Sequence, residues 1–267
     1  MTFEVSALCR GCGKCVKDCA MGVLGMQEGR PVVKDGRADA CMDCQHCLVV
    51  CPEGAVTVNG VGPDDCRNLD EMPIPPTNEV ANLLMTRRSI RQFVKAAVPR
   101  GEIAELLEVL KYVPTGCNMR HLVFKVVDSS SKLASCRQRL MELLVAKMDQ
   151  LPARMQDIVR DWQEHPEHDV FFRGAPHLLI VYGDPKAVTP QVDCDAACAY
   201  FDVLAQTAGL GTTWFGFLTH IVDAVPEALD VFGVPRGAPF HAMLFGEPLV
   251  DYVRCVNRKD GARIEWL

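Results

Sequence analysis

Two runs of cysteine hold the most distinctive chemistry in this sequence. The first is Cys9, Cys12, Cys15 and Cys19; the second is Cys41, Cys44, Cys47 and Cys51, followed by Pro52. In each run three cysteines at regular spacing wrap one loop around an iron–sulfur cubane, so that three thiolates reach three irons. The fourth lies too far round to join them and ligates the other cluster. The spacing therefore predicts Cys9, Cys12, Cys15 and Cys51 on one 4Fe–4S cluster, and Cys41, Cys44, Cys47 and Cys19 on a second. Structural zinc normally takes pairs of ligands, without a third cysteine so close behind. Disulfides between cysteines this near in sequence are geometrically poor. Cys19 is followed by Ala20 where the pattern expects proline, and the extra N–H offers a hydrogen bond to a sulfur. The two clusters are therefore not expected to be equivalent.

Residues 1–60 resemble the bacterial two-cluster ferredoxins on these motifs. The wider composition agrees with a metal-bearing protein in a reducing compartment: of fourteen cysteines, eight fall within the first 51 residues and six are scattered over the rest. A net charge of −6 and a pI near 5.7 argue against a nucleic-acid surface. No apolar run approaches the ~20 residues that span a bilayer. The first residues lack the basic and apolar regions of a signal peptide, so a cytoplasmic protein is expected.

A second candidate for chemistry is the run from Arg87 to Phe93. Arg87, Arg88 and Arg91 with Ser89 make a grip for a phosphate, because guanidinium groups are always charged and donate in pairs. Read alone, the run is equally a solvated basic helix end. Three further segments accompany it: residues 114–120 around Asn118, residues 209–216 around Trp214, and a basic end containing Arg258 and Lys259.

The elements that must position these groups can be read from periodicity. Residues 61–76 read as a linker, in which prolines prevent helix and sheet. From Thr77 the pattern changes. A helix capped by Thr77 or Asn78 leads to the arginine run, and a second follows Pro99, with Ile103, Leu106, Leu107 and Leu110 on one face. Pro114 stops it. Strands are expected at 122–127, 178–182 and 240–245, with helix over about 131–163, broken near Leu151–Pro152, and a well-buried helix over 193–208. The division is a ferredoxin-like domain over 1–60, a linker over 61–76 and an α+β domain over 77–267.

The order of these segments resembles the nitroreductase family over residues 77–267. That resemblance implies an FMN-binding α+β fold with a mostly antiparallel central sheet, and a homodimer in which both subunits build each flavin site. By the same resemblance, Arg87, Arg88, Ser89 and Arg91 match residues that bind the FMN phosphate and ribityl chain, and Arg258 and Lys259 match a basic pair closing on the same phosphate. Thr115, Gly116 and Asn118 match a loop that reaches the flavin from the neighbouring subunit. Trp214, Phe215 and Gly216 match the segment along the isoalloxazine. Arg120 stands where the family has glutamine; a solvent-facing side chain is favoured, whereas one facing the ring would stabilise anionic reduced flavin. The Gly209–Gly216 stretch is no dinucleotide fingerprint, because Trp214 occupies the third glycine position and a helix precedes it.

Cys194 and Cys198 share a helix face and read as small core residues. Cys117 reads as packing beside Asn118. His165 and His168 read as exposed, and His121 is a candidate substrate contact. No catalytic side chain is assigned, because the chemistry belongs to the cofactors. The expected flow runs from a low-potential donor such as ferredoxin through the clusters and FMN to a small nitroaromatic- or quinone-like acceptor. The alternatives are an electron-transfer or sensing flavoprotein without its own substrate, and a dehydrogenase sending electrons to the clusters.

Overall fold

The computed structural model describes all 267 residues. The chain separates into two compact units, one of Met1–Pro75 with Cys117–Met119 and the other of Pro76–Gly116 with Arg120–Leu267.

The first unit has little regular structure, because cysteine loops take the place of long elements. Strand β1 (Phe3–Val5) leads to helix α1 (Lys14–Lys17), the hairpin β2 (Leu24–Gln27) and β3 (Arg30–Val33), helix α2 (His46–Val49) and strand β4 (Val56–Val58). β1 pairs antiparallel with β4, and β2 with β3. A small core of Cys15, Leu24, Cys47, Leu48, Val56 and Val58 lies between them. The proline-rich stretch does contain short helical turns, against the expectation of none. These are 3-10 turns at Pro63–Asp65 and Leu69–Glu71. Pro63 occupies the first helical position, where its missing N–H costs nothing, and the Asn68 side chain accepts from the Asp70 N–H at 3.2 Å.

The second unit is an α+β layer structure. Helices α3 (Thr77–Thr86) and α4 (Arg100–Val109) come first, then β5 (Leu122–Val127), α5 (Ser130–Ala146) and α6 (Ala153–Glu164). β6 (His177–Gly183), α7 (Pro190–Thr207), β7 (Gly211–Trp214), α8 (Gly216–Ala224), α9 (Ala228–Val231) and β8 (Phe240–Gly246) complete it. The sheet runs β5-β6-β8-β7, with every neighbouring pair antiparallel. No side chain caps α3; it follows Pro76, whose carbonyl accepts from Glu79 and Val80. No helix is long and apolar enough to cross a membrane.

β6 explains the layering. Alternate residues of a strand face opposite ways. Leu178 and Ile180 pack with α5, α6, α8 and α9, while Leu179 and Val181 pack with α4 and α7, and all four are fully buried. β8 does the same with Ala242 and Leu244 against Met243 and Phe245. Two-sided burial is why Leu178–Val181 of β6 and Ala242–Phe245 of β8 read as apolar runs. Cys194, Cys198 and Phe201 of α7 are equally buried, and covering a side chain like Phe201 stabilises by about 1.5–3 kcal/mol. Burial pushes the Cys194 thiol up to about 12, so it is inert packing.

His177, at the start of β6, is completely buried. Its Nε2 accepts from the Val98 N–H at 2.8 Å, and its Nδ1 faces the Val127 carbonyl at 3.4 Å. This arrangement requires the neutral ring with its proton on Nδ1. Desolvation lowers its pKa, only partly offset by the Val127 hydrogen bond. A lowered folded pKa contributes stability above the unfolded value of about 6.5 that is lost as pH falls through the folded pKa. We expect the melting temperature to fall on acidification from pH 7 towards 5. His177→Leu should lose about 1–3 kcal/mol at pH 8 through the stranded Val98 N–H, and should also flatten that acid limb. An unflattened limb in the variant would assign it to carboxylates instead.

Candidate cofactor sites

The cysteine loops of the first unit have matching backbone devices. Sγ of Cys9 and of Cys41 each accepts from the N–H two residues on, Gly11 and Asp43, both at 3.4 Å. Sγ of Cys19 and of Cys51 each accepts from the N–H four residues on, Val23 and Ala55, both at 3.3 Å. Left-handed residues turn both loops at equivalent places: Gly11 and Gly13 in one, Asp43 and Gln45 in the other. The Ala20 N–H makes no hydrogen bond to a cysteine sulfur.

These loops bring together cysteines that are distant in sequence. Cys19 lines one cavity with Cys41, Cys44 and Cys47. Burial pushes the Cys47 thiol up to about 11, and the charges of Cys44, Cys19 and Cys41 push the same way. Burial raises the Cys15 thiol too, and there the neighbouring charges are Cys51 and Cys12. Each run thus has the other's fourth cysteine beside it. No three Cys, His or carboxylate side chains converge as a single-ion site requires.

In the second unit the arginine run lies alongside the sheet. Ile90 N–H donates to the Thr212 carbonyl at 2.8 Å, Val94 N–H to Glu247 at 2.9 Å and Leu249 N–H to Gln92 at 3.0 Å. Ile90 sits directly on Gly211, where a Cβ would stand 2.4 Å from its Cγ1. So held, the run divides its arginines between two cavities. Arg87 and Arg88 line one of about 350 Å³ with Asp202, Thr212 and Tyr252. Arg91 lines another of about 310 Å³ with Trp214, Phe215 and Gly216. Ser89 bridges to Thr212 and lines neither.

Asp202 organises the first cavity. It is 5% exposed, yet three donors reach it: the Thr212 hydroxyl, Trp214 Nε1 at 3.2 Å and the Arg87 guanidinium at 3.3 Å. Arg87 Nη1 is buried and makes no well-formed hydrogen bond. Arg88 donates to the Arg87 and Met85 carbonyls. The Asp202 position was readable in principle, since an acid following Cys194 and Cys198 at helical spacing stands on a buried face and must be partnered.

The other expected residues lie elsewhere. Thr115 Oγ1 accepts from the Arg120 N–H at 3.0 Å, and Gly116 N–H donates to the buried Asp193 at 3.0 Å. Asn118 belongs to the first unit, where Nδ2 donates to the Met42 and Asp43 carbonyls at 3.0 and 3.1 Å. Cys117 is exposed in a left-handed conformation and is not packed as expected. Phe215 is 2% exposed, its ring edge-on to Phe172, and its N–H already donates to the Ala242 carbonyl at 2.8 Å, so it presents no free donor to a ligand. Gly216 is exposed, with open space where a Cβ would stand. Arg258 and Lys259 lie exposed on a C-terminal segment without regular structure and line neither cavity. His121 is exposed and stands 3.9 Å from Asp184. Arg154 and Arg173, which no sequence motif marks, line the Arg91 cavity.

The nitroreductase family model matches residues 84–247, spanning the arginine run and the whole sheet. The chain belongs to the nitroreductase family. Ahead of that oxidoreductase domain, a 4Fe-4S dicluster domain model matches residues 8–56. An uncharacterized ferredoxin of Methanocaldococcus jannaschii is 43% identical over 60 residues, 22% of this chain and 92% of that protein. The N-terminal unit of this nitroreductase is thus a two-cluster ferredoxin module. Among solved structures, the FMN-bound nitroreductase of Bacteroides fragilis is 23% identical with a TM-score of 0.56, covering 71% of this chain and 100% of its own. That of Desulfitobacterium hafniense, also with FMN, is 21% identical with a TM-score of 0.55, covering 72% and 100%. An iodotyrosine deiodinase bound to FMN and 3-iodo-L-tyrosine is 18% identical with a TM-score of 0.52, covering 70% and 100%. At these identities the likeness is one of fold.

Asp202→Asn removes the charge opposite Arg87 while leaving an acceptor for Trp214. We expect a loss of about 1–3 kcal/mol, seen as a lower melting temperature, because a half-buried guanidinium loses its counter-charge. Asp251→Asn, at an exposed position on the same cavity, should change it little; equal effects from the two would contradict the central role of Asp202.

Proposed function

We propose that this nitroreductase-family chain passes electrons from two 4Fe–4S clusters through FMN to a small, electron-poor, nitroaromatic- or quinone-like acceptor. The observation that carries the reading is the division of the arginine run between two cavities, one lined by Gly211 and Thr212 of β7 and the other by Thr213 and Trp214, with the exposed Gly216 opening on the second. The residues present fit the two groups. Cys9, Cys12, Cys15 and Cys51 would hold one cluster, and Cys41, Cys44, Cys47 and Cys19 the other. Arg87, whose buried Nη1 pairs with Asp202 at 3.3 Å without a well-formed hydrogen bond, and Arg88 would hold the FMN phosphate, and Arg91 the ring or its ribityl chain. Bound FMN supplies the exchange between single electrons from the clusters and the electron pairs that organic acceptors take.

The chain's own part is binding and electrostatics. N–H groups at four sulfurs offset negative charge on the clusters and set their potentials. The start of α8, where Gly216 is exposed, would offer backbone N–H donors to the flavin. A homodimer completes the reading: α3 buries no residue and leaves Val80, Leu84 and Met85 exposed, and the loop with Thr115, Gly116 and Asn118 would then serve the partner's flavin.

Anaerobic mixing of the purified protein with reduced ferredoxin, NADPH or NADH tests the direction. Rapid flavin bleaching is expected with ferredoxin and slow bleaching with the nicotinamides; rapid bleaching by a nicotinamide would make the clusters an exit. For the crossed ligand sets, Cys51→Ser should disturb the cluster of the first cysteine run and Cys19→Ser that of the second. Low-temperature electron paramagnetic resonance would separate the two signals. Loss of the same signal in both variants would reject the crossing.

A further inference from the structure

The Arg91 cavity has a charge pattern that flavin binding leaves unexplained. Two guanidinium groups besides that of Arg91 line it, Arg154 at the start of α6 and Arg173 in the loop before β6. No carboxylate is among its lining residues. Neither the Arg154 nor the Arg173 side chain makes a hydrogen bond or ion pair, and Arg91 makes only a long one, 3.5 Å to the Ser89 carbonyl. Like charges sharing a cavity repel one another, so such convergence favours an anion in their midst. The cavity near the Arg87–Arg88 pair differs, because Asp202 and Asp251 line it too.

The loop that carries Arg173 is built for presentation. Arg173 is left-handed at φ 58°, followed by Gly174 at φ 65°. Asp169 holds the turn: its carboxylate accepts from the N–H groups of Phe172 and Gly174, both at 3.0 Å, its carbonyl accepts from Arg173 N–H at 3.0 Å, and Arg137 pairs with it at 3.1 Å. A long side chain in a left-handed position is uncommon and persists where surroundings over-determine it. The same cavity has an aromatic wall, Phe171 edge-on to Phe217 at 5.2 Å.

We propose that the acceptor bound here is an aromatic acid, its ring against the Phe171–Phe217 wall and its carboxylate held by Arg154 and Arg173. This rests on the flavin reading, which sets Gly216 beside the ring system and so makes this cavity the acceptor's side. Guanidinium suits a carboxylate because its planar fork donates two parallel hydrogen bonds. The two arginines select the substrate; they are not catalytic residues.

The test uses the holoprotein with flavin and clusters intact, titrated with benzoate and with its neutral isostere benzamide while the flavin absorbance is followed. Benzoate should bind about ten- to a hundredfold more tightly, the range for charge-assisted hydrogen bonds. Arg154→Gln combined with Arg173→Asn should bring the two affinities together; asparagine is chosen because it tolerates the left-handed backbone. Arg154→Lys should restore part of the difference. Equal affinities in the parent protein, or no saturable change with benzoate, would overturn the proposal. So would loss of flavin from the double variant, which would hand these guanidiniums to the FMN phosphate.

Turnover separates this inference from the reading beneath it. With reduced methyl viologen as donor, 4-nitrobenzoate and 4-nitrobenzamide each take two electrons and two protons at the nitro group, giving the nitroso compound and water as two viologens are oxidised. A higher kcat/KM for the acid supports the proposal. Equal values would overturn it and leave the reductase reading standing. Turnover of neither would sink the reductase reading, and the benzoate titration would still decide the anion site.

Discussion

Ile90 lies against the bare backbone of Gly211 so closely that no side chain fits between them, and the arrangement of the flavoprotein unit depends on that contact. Because Ile90 is pinned, the segment is fastened by backbone hydrogen bonds from Ile90 to Thr212, from Val94 to Glu247 and from Leu249 to Gln92. Arginines cannot be buried without partners, so Arg87 and Arg88 line one cavity from ahead of the fastened residues and Arg91 lines another from between Ile90 and Gln92. Arg87 turns to Asp202, itself held by Thr212 and Trp214. Arg91 emerges on the other side, toward α8. A flexible basic segment would attract an anion without fixing its position; one locked to a sheet edge gives its charges fixed places, which is what an electrostatic site requires.

The ferredoxin unit solves a different problem with different means. Four sulfurs must face one volume from loops too short for helices or sheets to carry. Left-handed residues make the necessary turns, and backbone N–H groups reach four of the eight sulfurs in two equivalent pairs. The two loops differ in residue type at those turns: glycines in the first, Asp43 and Gln45 in the second. The second loop therefore carries a carboxylate, Asp43, at a turn where the first carries Gly11, a source of inequivalence between the two.

Legibility differed sharply between elements, for physical reasons. β6 and β8 were readable because burial on both faces makes their central residues consecutive apolar ones. The long helical stretch was readable, break included, because Pro152 cannot continue a helix. β7 was not, since Gly-Thr-Thr-Trp is four residues with two buried threonines, and its strand character comes from pairing with β8. The β2–β3 hairpin was missed for a similar reason: its strands are short and half exposed. Asp202 left a faint trace as an acid on an apolar helix face. Arg154 and Arg173 left none, because single arginines in a polar region look like solvated surface until the fold brings them to one cavity.

By itself the sequence determined whatever depends on local spacing: two cysteine runs whose geometry forces a cubane, the arginine run, the apolar periods of helices and buried strands, and the order of motifs that marks the nitroreductase family. Tertiary structure alone decided what depends on distance across the fold. It gave Arg87 its distant partner Asp202 and gathered Arg91, Arg154 and Arg173 around one cavity. Spacing acts through the few bonds that join neighbouring residues. Charge and packing act through space, and only the folded chain decides which residues share it.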